Sequence, residues 1–135
     1  QARFIAQTPR AHAVTFWPAP YQPTEFYAAV TGLEQMEEGG ARCFACYALR
    51  LRHAALLAKE NHFDFFTTTL SISPHKNAAK LNEIGFALQD ELGVRYLPAD
   101  FKKKEGFKRS TQLAAQYGLY RQDYCGCVFS RRVKE

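Results

Sequence analysis

Four cysteines in two tight sets, Cys43 with Cys46 and Cys125 with Cys127, constrain this chain more than any other feature. Gly39 and Gly40 break the preceding segment, and a helical pattern then runs from Cys43 to about Glu60. Tyr47, Leu51, Ala54, Ala55 and Ala58 recur at the spacing of one buried helical face. Cys43 and Cys46, three apart, fall on neighbouring edges of the first turn. A helix N-terminus carries partial positive charge and unpaired N–H groups, which favour thiolate over thiol. Such a pair can ligate a metal, hold part of an iron–sulfur cluster, or cycle as a disulfide. The expectation is a fold that brings the two sets together.

At 135 residues the chain predicts a single domain, residues 1–135, able to bury a core without cross-links. No apolar run approaches the roughly 18 residues of a membrane span, and no signal-peptide pattern opens the sequence. A cytoplasmic protein is expected, where closely spaced cysteines serve metals or redox chemistry more often than structural disulfides. Lys and Arg number 18 against 13 Asp and Glu, a net charge of +5. The excess gathers late, in Lys102, Lys103, Lys104, Lys108, Arg109, Arg121, Arg131, Arg132 and Lys134. Clustered charge of this sign suits a polyanion such as nucleic acid, and equally a solvated basic face. The first residue is Gln, not Met, so a fragment or a processed product is expected.

Ala13–Trp17 reads as a short strand closed by Pro18, Pro20 and Pro23. Thr24 predicts the cap of a short helix through Val30 that ends by Gly32. Phe63–Leu70, aromatic and β-branched, predicts a buried strand. Ser73 as cap with Pro74 in the first turn predicts a helix start, and Ala78, Leu81, Ile84, Gly85, Leu88 and Leu92 mark its buried face up to Gly93. Val94–Leu97 predicts another strand, and Ser110–Tyr117 a helix ending at Gly118. This alternation is that of an α/β protein with a small, mainly parallel sheet and flanking helices. Only two strands are firm, so a leading β-α portion is expected to be missing. Ligands in such folds bind at the carboxyl ends of strands, which nominates the loops Thr67–Lys76 and Pro98–Lys104.

The cysteines admit four readings: buried small hydrophobes, a four-thiolate zinc site, a dithiol oxidoreductase, or an iron–sulfur or mixed redox site. Two tight sets using every cysteine argue against the first. The Cys125-Gly126-Cys127 spacing is tighter than a zinc knuckle, and Cys43 follows a Gly-Gly loop rather than a strand, so the last reading fits best. A disulfide across one residue is strained, and Gly126 gives the freedom to attempt it; strained disulfides are readily reduced. Ser73-Pro74-His75-Lys76 offers a hydroxyl, an imidazole and an ammonium at an expected helix N-terminus, an anion site that equally reads as a plain cap. His75 has the pKa range of a proton donor. Asp100 stands at a strand end before the cations Lys102 and Lys103. Around the second thiol set, Tyr120, Arg121, Gln122 and Tyr124 have the chemistry to stack on a base or read its edge.

Four stretches together carry a resemblance: Glu38-Gly39-Gly40-Ala41-Arg42-Cys43-x-x-Cys46; Phe65-x-Thr67-Thr68-Thr69-Leu70-Ser71-Ile72-Ser73-Pro74-His75-Lys76; Leu97-x-x-Asp100-Phe101-Lys102-Lys103; and Leu119-Tyr120-Arg121-Gln122-x-Tyr124-Cys125-Gly126-Cys127. In order and approximate spacing, over residues 21 to 130, the chain resembles the QueH family of epoxyqueuosine reductases. The resemblance implies reduction of epoxyqueuosine to queuosine in the tRNA anticodon loop, the last step of queuosine synthesis, with loss of the epoxide oxygen. It implies a 4Fe-4S cluster with Cys43 and Cys46 as ligands, and an additional iron or other metal nearby. It also implies a redox-active pair, Cys125 and Cys127, and an electron donor not named by the sequence. On this reading His75 and Lys76 contact anticodon phosphate or protonate the epoxide oxygen, and Asp100 positions the substrate. Lys102, Lys103, Arg121, Arg131 and Arg132 hold the tRNA backbone. Family members open with a strand ending in a Cys-Cys-x-Pro segment that supplies further metal ligands, followed by an Asn-Pro-rich loop. Neither is found here, in line with the missing β-α portion. Either a C-terminal fragment or a divergent member that has lost its cluster is therefore expected, inactive as this truncated chain. The rival from another class is a zinc-stabilised RNA-binding module without enzyme activity.

Overall fold

The structure, a computed structural model, describes residues 1–131. Among them the helices are α1 (Ala2–Gln7), α2 (Pro23–Ala29), α3 (Ala41–Glu60), α4 (Ala78–Leu92) and α5 (Gly106–Gln116). Two short strands, β1 (Phe65–Phe66) and β2 (Arg95–Tyr96), pair in parallel with Phe65 opposite Arg95 and Phe66 opposite Tyr96. Single 3₁₀ turns occupy Leu70–Ile72 and Val128–Ser130. This is the α/β class expected, a small parallel sheet with helices beside it.

Helix α3 forms because its apolar residues repeat on one face, and it buries Cys43, Tyr47, Leu51, Ala55 and Ala58. Against that face lies α4, capped by the Asn77 side chain, which accepts from the Lys80 amide at 2.9 Å. Gly93 ends α4 in the left-handed conformation, φ 71°, which costs glycine little. Leu81 and Leu88 of α4 join Leu51, Phe66, Val94 and Tyr96 in one core. Leu51 and Leu81 are nearly inaccessible to solvent, and each contributes about 2 kcal/mol by the transfer of its side chain from water. The α4 crossover connects β1 to β2, so the loops after the two strands emerge at one end of the sheet.

Several elements depart from the sequence expectation. Ala13–Trp17 is not a strand: among the described residues no neighbouring strand offers it a ladder. The Phe63–Leu70 strand shrinks to Phe65–Phe66 for the same reason, since β1 has β2 on one side only, and Phe63 is exposed. Helix α2 is capped at Gln22, with Thr24 inside the helix. Ser73 and Pro74 do not start α4. The Ser73 hydroxyl accepts from the His75 amide at 3.3 Å in a local turn, and the helix begins four residues later behind Asn77. Helix α5 starts at Gly106, before the expected Ser110, because Gly106 can sit where a Cβ would lie 1.7 Å from the Phe101 carbonyl oxygen. Arg132 and Lys134 lie outside the described residues.

Candidate active site

The irregular tail reaches the α3 helix through its aromatic end. Phe129 lies 6.3 Å from Phe26 and 6.4 Å from Tyr27 of α2, and the Arg42 guanidinium sits 5.4 Å from its ring centre. Arg42 is itself buried and donates through Nη1 to the carbonyls of Glu34 and Met36. One arginine beside Cys43 thus ties down both the loop before α3 and the segment just after Cys127. This anchoring brings the second thiol set back over the loop that follows β1.

Between the two segments lies a cavity of about 550 Å³. Its wall takes Glu38, Ser73, His75 and Lys76 from one side, and Arg121, Gln122, Asp123, Tyr124 and Cys125 from the tail; Phe107 and Ser110 of α5 close it. Lys76 is largely buried, and its ammonium donates to Cys125 Sγ at 2.9 Å. Burial lowers the pKa of Lys76, but the hydrogen bond and charge of Cys125, then Tyr47 and Cys43, outweigh it and the net direction is up. Cys43 is buried, and its Sγ accepts from the Gly39 amide at 3.2 Å. Cys46 is pushed up, first by burial; Arg50 works against the shift, while Cys125 and Cys127 add to it. All four thiols are free.

The expected site residues divide. His75, Lys76, Arg121 and Cys125 meet in the one cavity. Lys76 faces the thiol rather than standing at a helix N-terminus, and the anion site expected at Ser73–Lys76 loses its helix, which begins at Ala78. Cys127 follows the cavity wall without forming part of it. Asp100 and Lys103 line a second, more open cavity with Asn82 and Lys104, and Lys102 pairs with Asp100 at 3.0 Å. The sequence places Glu38 and Arg42 in the first of the four family-like stretches and Tyr47 on the buried helical face, but assigns none of them to the site. The structure sets Glu38 3.7 Å from Lys76 and buries Tyr47 and Arg42. Arg42 was visible as the neighbour of Cys43; nothing local marks Glu38 or Tyr47 as facing Lys76.

A 4Fe-4S cluster takes four ligands. Among the described residues no group of three or more His, Cys, Asp or Glu side chains is placed to hold a metal ion. Cys43 and Cys46 would supply at most two of those four, and the described residues do not complete such a set. Nor do the four thiols converge on a single zinc position in this arrangement. Among the described residues no helix is long and apolar enough to cross a membrane.

Fold and site together define an α/β protein with a cavity of about 550 Å³ in which one thiol, Cys125, meets cations and aromatic rings. The profile of the family described as "Epoxyqueuosine reductase QueH" matches residues 2–133, and the chain belongs to that family. A protein named epoxyqueuosine reductase QueH from Streptococcus pyogenes serotype M1 is 42% identical over 133 residues, 98% of this chain and 51% of its own length. One of the same name from Staphylococcus epidermidis is 42% identical over 120 residues, 87% of this chain and 50% of its own. A Thermotoga maritima protein, also so named, is 35% identical over 106 residues, 78% of this chain and 55% of its own. The chain spans about half the length of the curated relatives it matches.

Proposed function

We propose that this chain is the part of an epoxyqueuosine reductase that presents the redox thiol pair to the substrate, reducing epoxyqueuosine in the tRNA anticodon loop to queuosine. The observation that carries the reading is the single cavity where Cys125, His75, Lys76 and Arg121 meet from segments far apart in sequence. Removing the epoxide oxygen consumes two electrons and two protons, and the oxygen leaves as water. Closing a disulfide between Cys125 and Cys127 releases two electrons and two protons, so the pair balances the reaction. An external reductant then restores the dithiol.

The remaining roles follow from chemistry and placement. His75, exposed on the cavity wall, is the proton donor to the departing oxygen. Arg121, Gln122 and Tyr124 receive the modified base by stacking and hydrogen bonding, with the Arg121 guanidinium 5.5 Å above the Phe107 ring. Lys102, Lys103 and Arg131 act on the phosphate backbone outside the thiol cavity, and Asp100 orients Lys102 there. Cys43 and Cys46 supply part of the ligand set of a 4Fe-4S cluster, with an additional iron or other metal nearby. The remaining ligands come from elsewhere in a protein of the relatives' length. A tRNA substrate places the protein in the cytoplasm.

The test uses a protein of the relatives' length that contains this sequence, anaerobically reconstituted with iron and sulfide. It is supplied with dithionite and tRNA carrying epoxyqueuosine, and the nucleosides are read by mass spectrometry. Loss of one oxygen from the modified base is expected. Cys125→Ser and Cys127→Ser should each lower turnover by more than 100-fold or so, and His75→Ala by about 10². Metal counting accompanies it: about four irons and four sulfides per chain, lost with Cys43→Ala and Cys46→Ala, support the reading. One zinc per chain with tRNA bound but unreduced would overturn it in favour of the RNA-binding module.

A further inference from the structure

Lys76 brings a charge into the cavity wall with its side chain only 8% exposed. A buried ammonium needs partners, and here the nearest is sulfur. Nζ lies 2.9 Å from Cys125 Sγ, against 3.7 Å to Glu38 Oε1 and 6.0 Å to the centre of the Tyr47 ring. We propose that Lys76 makes Cys125 the nucleophilic thiol of this chain, directed at a soft carbon electrophile in the cavity.

The other thiols lack one or more parts of that arrangement. Cys43 is buried and its sulfur is occupied by the Gly39 amide. Cys46 is partly buried on α3 and does not line the cavity. Cys127 is partly exposed but stands outside the cavity wall. Cys125 alone joins a cavity position, partial exposure and an ammonium donor, the surroundings in which reactive thiols occur. The charged and titratable groups around this contact are Glu38 from the loop before α3, Cys43, Cys46 and Tyr47 from α3, and His75 beside Lys76. On the tail they are Arg121, Asp123 and Cys127.

Applied to an epoxide, the step forms an S–C bond as the C–O bond breaks. The electron pair stays on oxygen, which takes a proton from His75 or water. No electrons change hands there. The Cys127 thiol then attacks the Cys125 sulfur, and the S–C bond breaks with its pair moving to form the C=C bond. The hydroxyl leaves with the Cys127 proton as water, so the disulfide carries away the two-electron oxidation. This application rests on the proposed function; the reactivity of Cys125 does not, and its test needs no tRNA.

The full 135-residue chain, reduced, is exposed to limiting iodoacetamide at neutral pH, and labelling of each cysteine is followed by peptide mass mapping. Cys125 is expected to label roughly 10-fold or more ahead of Cys127. Lys76→Met should slow Cys125 by about 10-fold and leave Cys127 unchanged, and Lys76→Arg, which keeps a charged donor, should restore most of the rate. Earlier labelling of any other cysteine overturns the proposal, as does a Lys76→Met variant with Cys125 unaffected. An Arg variant no faster than the Met variant also overturns it, since Lys76 would then only fill space. Should Lys76→Met unfold the chain and label all four cysteines alike, the Arg variant decides: a kept preference for Cys125 supports the proposal and a lost one refutes it.

Discussion

Replacing Gly85 by alanine sets helix propensity directly against packing, and the structure gives the sign. Gly85 lies on the buried face of α4, where alanine is intrinsically better by about 0.8–1.0 kcal/mol. A Cβ built there would stand 2.4–2.5 Å from three atoms of the Tyr96 ring. That ring cannot step aside. It is 4% exposed, packs against Phe66 at 5.2 Å and Phe86 at 5.5 Å, and its hydroxyl donates to Asn82 Oδ1 at 2.8 Å. Its backbone amide also donates to Gln89 Oε1 at 2.9 Å. Overpacking a held ring costs up to about 3 kcal/mol, so Gly85→Ala should destabilise by about 2 kcal/mol after the propensity gain. For a chain of 135 residues, that lowers the melting temperature by roughly 7 °C. Thermal and urea unfolding followed by circular dichroism would measure it. Tyr96→Leu in the same chain should make the alanine cheaper, with a coupling of about 1 kcal/mol or more. A Gly85→Ala chain that melts higher than its parent would refute the argument, because propensity would then have won.

Two further outcomes are expected. The Tyr47 hydroxyl is buried and, although the Asn77 backbone amide is near, completes no hydrogen bond of acceptable geometry; burial accordingly raises its pKa. Tyr47→Phe should leave stability unchanged or raise it by up to about 1–3 kcal/mol, and a loss in urea titration would mean the hydroxyl has a partner. Arg52 and Glu91 form two 2.7 Å bonds between exposed side chains, and the arginine holds the Glu91 carboxyl below the usual glutamate range. A depressed carboxyl stabilises above its unfolded pKa and loses that contribution as pH falls through its folded one. Glu91→Gln should therefore flatten the decline in stability between about pH 5 and pH 3, and more so in low salt than in high. A parent and variant with parallel acid profiles would count against it.

The long helices were legible because their signals are local and redundant. In α3 and α4 the apolar repeat runs unbroken and agrees with the Gly-Gly break before α3 and with Gly93 after α4, so Leu51, Ala55, Leu81 and Leu88 were identifiable as core. The strands were legible in place but not in length. A strand exists only as far as a neighbour pairs with it, and β1 has its one partner for two residues. At Ser73-Pro74 and Asn77 two capping signals compete within one turn, and the sequence carries no rule that ranks them. The site was half legible: spacing marked the cysteines and His75, whereas the contact of Lys76 with Cys125 spans 49 positions and leaves no periodic trace.

By itself, then, the sequence determined the α/β class, the two long helices with their buried faces, the family resemblance and the pairing of cysteines by proximity in the chain. Each of these depends on residues within a few turns of one another, or on motifs in a fixed order. Tertiary structure alone decided that Asp100 and Lys103 stand in a different cavity from Cys125, and that Arg42 anchors the tail through Phe129. It also decided that the Lys76 ammonium, free by sequence to meet a phosphate, turns inward to a thiol. The reason is burial: with Tyr47 of α3, Glu38 and the tail around it, the charge must take whatever partner the packing leaves within reach, and the nearest is the sulfur of Cys125.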